Sequence, residues 1–165
     1  SGFLMSLNGN NFAGAYLNYA LTKGRLHYSD YSGEAYFDQL ISRAVLGVEF
    51  RNYSESGWYF YFRAGMNYSW LKLISATRLT GGNSSEASAS FYSLGVDAEP
   101  GLGWQHNLGN HFSIGVNVGF DVNVQGKTFF REDSNAYLTD GEGDPVKLNW
   151  SGARLGLEFT YLIGE

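Results

Sequence analysis

Between Leu40 and Phe50 alternate positions of the chain differ in character. Leu40, Ala44, Leu46, Val48 and Phe50 share one parity with Ser42, while Arg43, Gly47 and Glu49 share the other with Ile41 and Val45. A period of two is the mark of a β-strand whose two faces meet different surroundings. The pattern recurs. Trp58, Phe60, Phe62, Ala64, Met66, Tyr68 and Trp70 oppose Tyr59, Tyr61, Arg63, Gly65, Asn67 and Ser69. Tyr92, Leu94, Val96, Ala98, Leu102 and Trp104 oppose Ser93, Gly95, Asp97, Glu99, Gly101 and Gly103, and Phe112 to Asn123 sorts its Val, Ile and Phe from Ser, Gly, Asn and Asp. Ala153 to Ile163 and Ala13 to Lys23 behave likewise, and a short strand is expected at Phe3 to Leu7.

Links between these segments alternate in length. Short ones fall at Asn8 to Asn11, Asn52 to Gly57 and His106 to Asn110; longer ones are expected at Ser29 to Asp38, Ser75 to Ser90 and Gly126 to Lys147. Pro100 lacks an N–H inside a strand and predicts a bulge there. Seven antiparallel strands are discernible.

Which face is inside is decided by what each carries. The polar face is mostly Gly, Ser and Asn with isolated charges, suited to a narrow lumen that side chains fill, whereas a solvated outer face would be richer in Lys, Glu and Thr. Charges are absent from the middle of the apolar face, where Lys or Arg opposite lipid costs about 2–4 kcal/mol. Aromatic residues gather toward strand ends, Trp58, Trp104, Phe112, Phe159 and Tyr161 at one level and Tyr68, Trp70 and Tyr92 at the other, like two interfacial girdles. The expected fold is therefore all-β, an antiparallel up-and-down transmembrane β-barrel forming a single domain over residues 1–165. Bacterial single-chain barrels have even strand numbers, so eight strands are expected, the eighth lying upstream or hidden in the pattern. A soluble lipocalin-like carrier, with its apolar face inward, is the alternative.

Composition narrows the field. With 16 acidic and 11 basic residues the net charge is −5 and no basic stripe exists, so no nucleic-acid partner is expected. Cysteine is absent, which removes disulfides and thiolate metal sites. No apolar run is long enough for a membrane helix.

The segment Arg154-Leu155-Gly156-Leu157-Glu158-Phe159-Thr160-Tyr161 resembles the C-terminal assembly signal of bacterial outer-membrane β-barrels, with Arg154, Gly156, Phe159 and Tyr161 at its specified positions. It departs from that signal in running on through Leu162-Ile163-Gly164-Glu165 in place of a terminal aromatic residue. By size and layout the chain resembles the small eight-stranded outer-membrane proteins of the OmpX, OmpA-barrel and OmpW kind. The resemblance implies a Gram-negative outer membrane, insertion by the barrel-assembly machinery, contact with lipid and lipopolysaccharide, long loops outside and the C-terminus in the periplasm. The functions it implies range from anchoring and adhesion to small hydrophobic transport.

Candidate chemistry follows from the faces. Arg43, Arg51, Arg63 and Arg154 share the inward face with Glu49, Asp97, Glu99, Asp121 and Glu158. In a narrow lumen these are expected to pair, with Arg63 as the hub, and to leave no open pore; a gated polar or proton-linked path is the alternative. Lys23, Arg25 and Lys72 are expected to meet lipopolysaccharide phosphates. His27-Tyr28-Ser29 resembles the His-x-Ser segment of outer-membrane lipid A deacylases, and Glu34 could orient the imidazole, although exposed polar residues at a loop base are the favoured reading. Asp140, Glu142 and Asp144 alternate with glycines as calcium ligands do, but Pro145 stands where an EF-hand loop needs Gly, so a solvated acidic loop is expected. No cofactor is expected. The functional expectation is a non-enzymatic barrel with a structural, adhesive or partner-binding role through loops or outer wall. The alternatives are a lipid A acyl-ester hydrolase and an accessory barrel beside an envelope protein partner.

Overall fold

The computed structural model describes residues 2–30, 33–79, 84–109 and 111–161, with the side chains of residues 26, 28, 30, 33, 78, 79 and 84 left aside. Regular structure among them is entirely β: β1 (Gly2–Asn8), β2 (Asn11–Asp30), β3 (Gly33–Tyr53), β4 (Trp58–Leu79), β5 (Ser84–Asn107), β6 (Phe112–Gln125), a two-residue β7 (Phe129–Phe130) and β8 (Gly152–Tyr161). They form one sheet in the order β1-β2-β3-β4-β5-β6-β8, antiparallel throughout, and β7 pairs with β5 beyond the end of β6. The sheet curls into a half-barrel.

Two expected loops are strands instead. β2 and β3 stay paired out to Asp30 and Gly33, and β4 and β5 out to Arg78 and Ser84, so the segments 29–38 and 75–90 belong largely to two long strand pairs. Gly81, Gly82 and Asn83, read as part of a loop tip, lie outside the described residues, as do Asn110 and the segment from Leu162 to Glu165. The bulge expected at Pro100 is also absent. β5 keeps one register against β6 from Ala98↔Val122 to Gly101↔Gly119, and the ladder merely skips Glu99 and Pro100. Proline removes a donor there without adding a residue to the strand. The segment 126–151 does carry little regular structure. It doubles back through bridges Phe129↔Tyr137 and Thr139↔Pro145.

Burial separates the faces cleanly over the lower half of the sheet. Arg43, Glu49, Arg51, Asn67, Asp97, Glu99, Asn117 and Asp121 are buried, while Leu46, Val48, Met66, Val96, Val118 and Phe120 are exposed. A folded chain that buries its charges and exposes its large apolar residues has the reverse of the water-soluble arrangement.

The two faces exchange character partway up. At one level on the outer wall Tyr19, Trp70, Tyr68 and Tyr92 form a chain of ring contacts 5.7–6.0 Å apart, which Phe129 extends from Tyr92. Directly above, Lys23, Leu40, Lys72 and Ser90 stand in register, followed by the paired Arg25 and Asp38 and then His27 and Tyr36. The outer wall thus turns polar above the aromatic row. The inner face does the opposite, with Phe37, Leu71, Leu73, Ala87, Ala89 and Phe91 in place of the lower charges, so the inward side is not polar along its whole length. A second aromatic row marks the other end, where Trp58 pairs with Trp104 and Phe112 with Tyr161. Trp58 and Tyr68 are ten residues apart on β4. At about 3.3 Å per residue and a tilt of about 40° the rows lie ~25 Å apart along the barrel axis.

Candidate functional site

The concave face holds two tiers of charge. In the lower tier Arg51 donates to both oxygens of Glu158 at 2.7 and 2.9 Å and also to Glu49. Arg63 lies among Glu49, Glu99 and Glu158 at 3.2, 3.2 and 3.3 Å. The hydroxyls of Tyr59 and Tyr61 donate to Glu158 and Glu99 at 2.9 and 2.7 Å, and Asn117 adds a donor to Glu158 at 2.7 Å. Arg51 and Arg63 also sit over the rings of Tyr59 and Tyr61 at 4.7 and 4.6 Å. These contacts cross from β3 and β4 to β8, over the width of the lumen.

In the upper tier Arg43 bridges Asp97 and Asp121, the latter at 2.9 Å, and Arg154 joins Asp121 from β8. Asn67 and Asn123 donate to Asp97 at 2.7 and 3.0 Å. Above this tier comes Trp150, from the segment before β8. Its indole N–H donates to Ser69 Oγ at 3.1 Å, and its ring lies 5.5 Å from the Arg43 guanidinium. Thr128 N–H to Val146, Leu138 N–H to Thr128 and Val146 N–H to Leu138 hold the same segment together, and Phe130 packs on Phe91 with ring centroids 4.7 Å apart. The segment covers the upper end of the polar tiers.

Small residues make room for these rings. A Cβ at Gly103 would meet the Tyr59 ring, and one at Gly101 the Tyr61 ring. Tyr59 and Tyr61 are almost wholly buried. Their parity with Arg63 was a usable signal in the sequence, whereas nothing local marks Trp150 as an inward residue.

The remaining candidates are scattered. On the outer wall His27 stacks on Tyr36 at 4.5 Å, and the Tyr36 hydroxyl donates to Glu34 at 2.6 Å. Ser29 on β2 pairs with Glu34 on β3. The three residues share one strip, with the Glu34 carboxylate engaged by a phenol. Arg25 donates to both oxygens of Asp38 at 2.6 and 2.8 Å, which holds the Asp38 carboxyl below the usual carboxylate range and raises Arg25. Lys23 and Lys72 flank Leu40 at the level just above the aromatic row. Asp140 accepts the backbone N–H groups of Glu142 and Asp144 at 3.0 and 2.9 Å, a self-closed acidic turn. Among the described residues no group of three or more His, Cys, Asp or Glu could hold a metal ion. His106 stacks on Trp104 and His111 lies beside Tyr161, both at the lower aromatic row. Within the assembly-signal segment, Arg154 faces the lumen and Gly156 lies against Asn117, while Phe159 and Tyr161 are on the outer wall. A cavity of about 650 Å³ opens near Phe37, Gln39, Leu73 and Ala89 on the upper inner face.

Comparison with protein families, with curated proteins and with solved structures finds no match for this chain.

Proposed function

We propose that this protein is an integral outer-membrane β-barrel, with eight strands when closed and a lumen sealed by ion pairs. Its role is structural, adhesive or partner-binding and is carried by the two long strand pairs and the outer wall. The observation that carries this reading is the exchange of faces at the row Tyr19, Tyr68, Trp70, Tyr92. Below it the wall is apolar and the interior charged; above it the wall carries Lys23, Arg25, Asp38 and Lys72, and the interior has Phe37, Leu71, Leu73 and Phe91 beside Gln39 and Ser75, with no charge among the described side chains. A soluble carrier has no reason to change sides along its strands, whereas a barrel leaving a bilayer must do so where lipid gives way to water. The height of about 25 Å between the aromatic rows suits the apolar band of such barrels. In this reading Lys23 and Lys72 lie at headgroup height, placed to meet lipopolysaccharide phosphate, and Trp58, Trp104, Phe112 and Tyr161 mark the periplasmic side.

The test is electrophoretic mobility with and without boiling, on protein purified once in detergent and once without. A detergent-dependent, heat-sensitive shift is expected. A monodisperse protein without detergent and without a shift would overturn the proposal.

A further inference from the structure

The sheet ends in two edges, and their geometry restricts what can cover them. Seven strands lie between and including β1 and β8 on the antiparallel path, so β1 and β8 run in the same direction. They cannot close on each other in antiparallel fashion. The side chains of β8 have nevertheless crossed the lumen already, since Glu158 is bonded to Arg51 on β3 and Tyr59 on β4. That width, set by side chains in contact, is the interior of a barrel of about eight strands. A fourteen-stranded ring made from two copies would pull these partners apart.

The side chains of β8 show that a neighbour is lacking there. Leu155 and Leu157 on the outer face of β8 are 85% and 73% exposed, against 54% and 45% for their partners Val118 and Val116 on β6. On β1, Phe3, Met5 and Leu7 are exposed at 62%, 61% and 60%, no more than Leu46 and Val48 within the sheet, so there the open edge is shown by the strand order alone. Charge adds a further condition. The lumen brings together four arginines and five carboxylates, and on the edge strand β8 Glu158 shares Arg51 and Arg63 with Glu49 and Glu99, Glu99 also lying 3.7 Å from Arg154. β1 contributes no charge to balance the extra carboxylate. A buried carboxylate in excess must be matched by a cation or lose its own charge.

We propose that the opening between β1 and β8 seats one extended polypeptide strand, antiparallel to both edges, with apolar side chains outward and a Lys or Arg inward at the level of Glu158. Strand addition of this kind gains its affinity from main-chain hydrogen bonds and its specificity from alternate side chains. Only the apolar outward face rests on the membrane reading; direction, number and inward charge do not.

The experiment uses the whole chain in detergent with three synthetic peptides of about ten residues, the length of a barrel strand. Each alternates Val or Leu with Gly or Ser and carries Lys, Gln or Glu at its central inward position. Hydrogen exchange is followed at the amides of β1 and β8. The Lys peptide is expected to protect both edges and to bind about tenfold more tightly than the Gln peptide, as a charge-assisted bond would give. The Glu peptide is expected not to bind. Equal binding of the Lys and Gln peptides would overturn the inward cation, in favour of a protonated carboxylate. Protection of one edge only, or of both edges by self-association without any peptide, would overturn the single-strand seat. Flotation of the chain with lipid vesicles, run alongside, reads the membrane proposal separately.

Discussion

Arg43 has almost no contact with solvent, and two carboxylates depend on it. Replacing it by Ala leaves Asp97 and Asp121 facing each other with Arg154 alone beside them. Removing one partner of a buried ion pair typically costs about 3–5 kcal/mol, and Arg43→Ala is expected to lower the temperature of the heat-induced mobility shift accordingly. A shift within a degree or two of the parent would show that the upper tier is not structural. Gly103 is the second position where one atom decides. An Ala there must displace the Tyr59 ring, and with it the hydrogen bond to Glu158, at about 1–3 kcal/mol for the overpacking. Urea midpoints of Gly103→Ala and Gly103→Ala/Tyr59→Phe measure how much of that loss runs through the hydroxyl. At this scale the sequence was partly legible. Arg63 and the carboxylates share a parity that can be read along each strand, but which acid meets which arginine depends on curvature and stagger across the lumen. No local pattern encodes the meeting of Arg43 with Asp121.

Strands were the most legible level, and the reason lies in contrast. Where Val, Leu and Phe alternate with Gly, Asn and Glu, as in β6, the period of two is plain; Phe112 to Gln125 is one unbroken strand. Where the residues are small, as the Ser and Ala of the stretch Ser84 to Ser90, the contrast between alternate positions is weak. Strand membership then comes from pairing with β4, which the chain does not announce locally. The outer wall supplies a prediction at this scale with a sign that depends on the surroundings. Val48 pairs with Ala64 near the middle between the two aromatic rows and is 64% exposed, and opposite lipid Val48→Lys is expected to cost about 2–4 kcal/mol. On a wall facing water the same change would be nearly neutral. Ser88, also on the outer wall but above the aromatic row, is the control, and Ser88→Lys is expected to leave stability unchanged. Urea unfolding of both variants in vesicles separates the cases, and equal effects would contradict the proposed change of surroundings along the outer wall.

For the molecule as a whole, the two charge tiers and Trp150 from the segment 126–151 follow one another along the concave face, and in the proposed barrel they obstruct the lumen in series. Vesicles carrying the protein are expected to hold a potassium gradient, and to hold it still when Trp150→Ala loosens the cover, because the tiers beneath remain packed. A steady ion current from the parent chain would contradict the sealed lumen. The segment carrying Trp150 was the least legible part of the chain, since its course is set by contacts with Ser69 and Arg43 from distant strands. Its tucked indole also divides the four tryptophans of the chain into two populations, with Trp58, Trp70 and Trp104 on the outer wall and Trp150 within. If the proposed membrane setting holds, brominated acyl chains dim three emitters and spare the fourth, so the native fluorescence reports separately on the wall and on the interior.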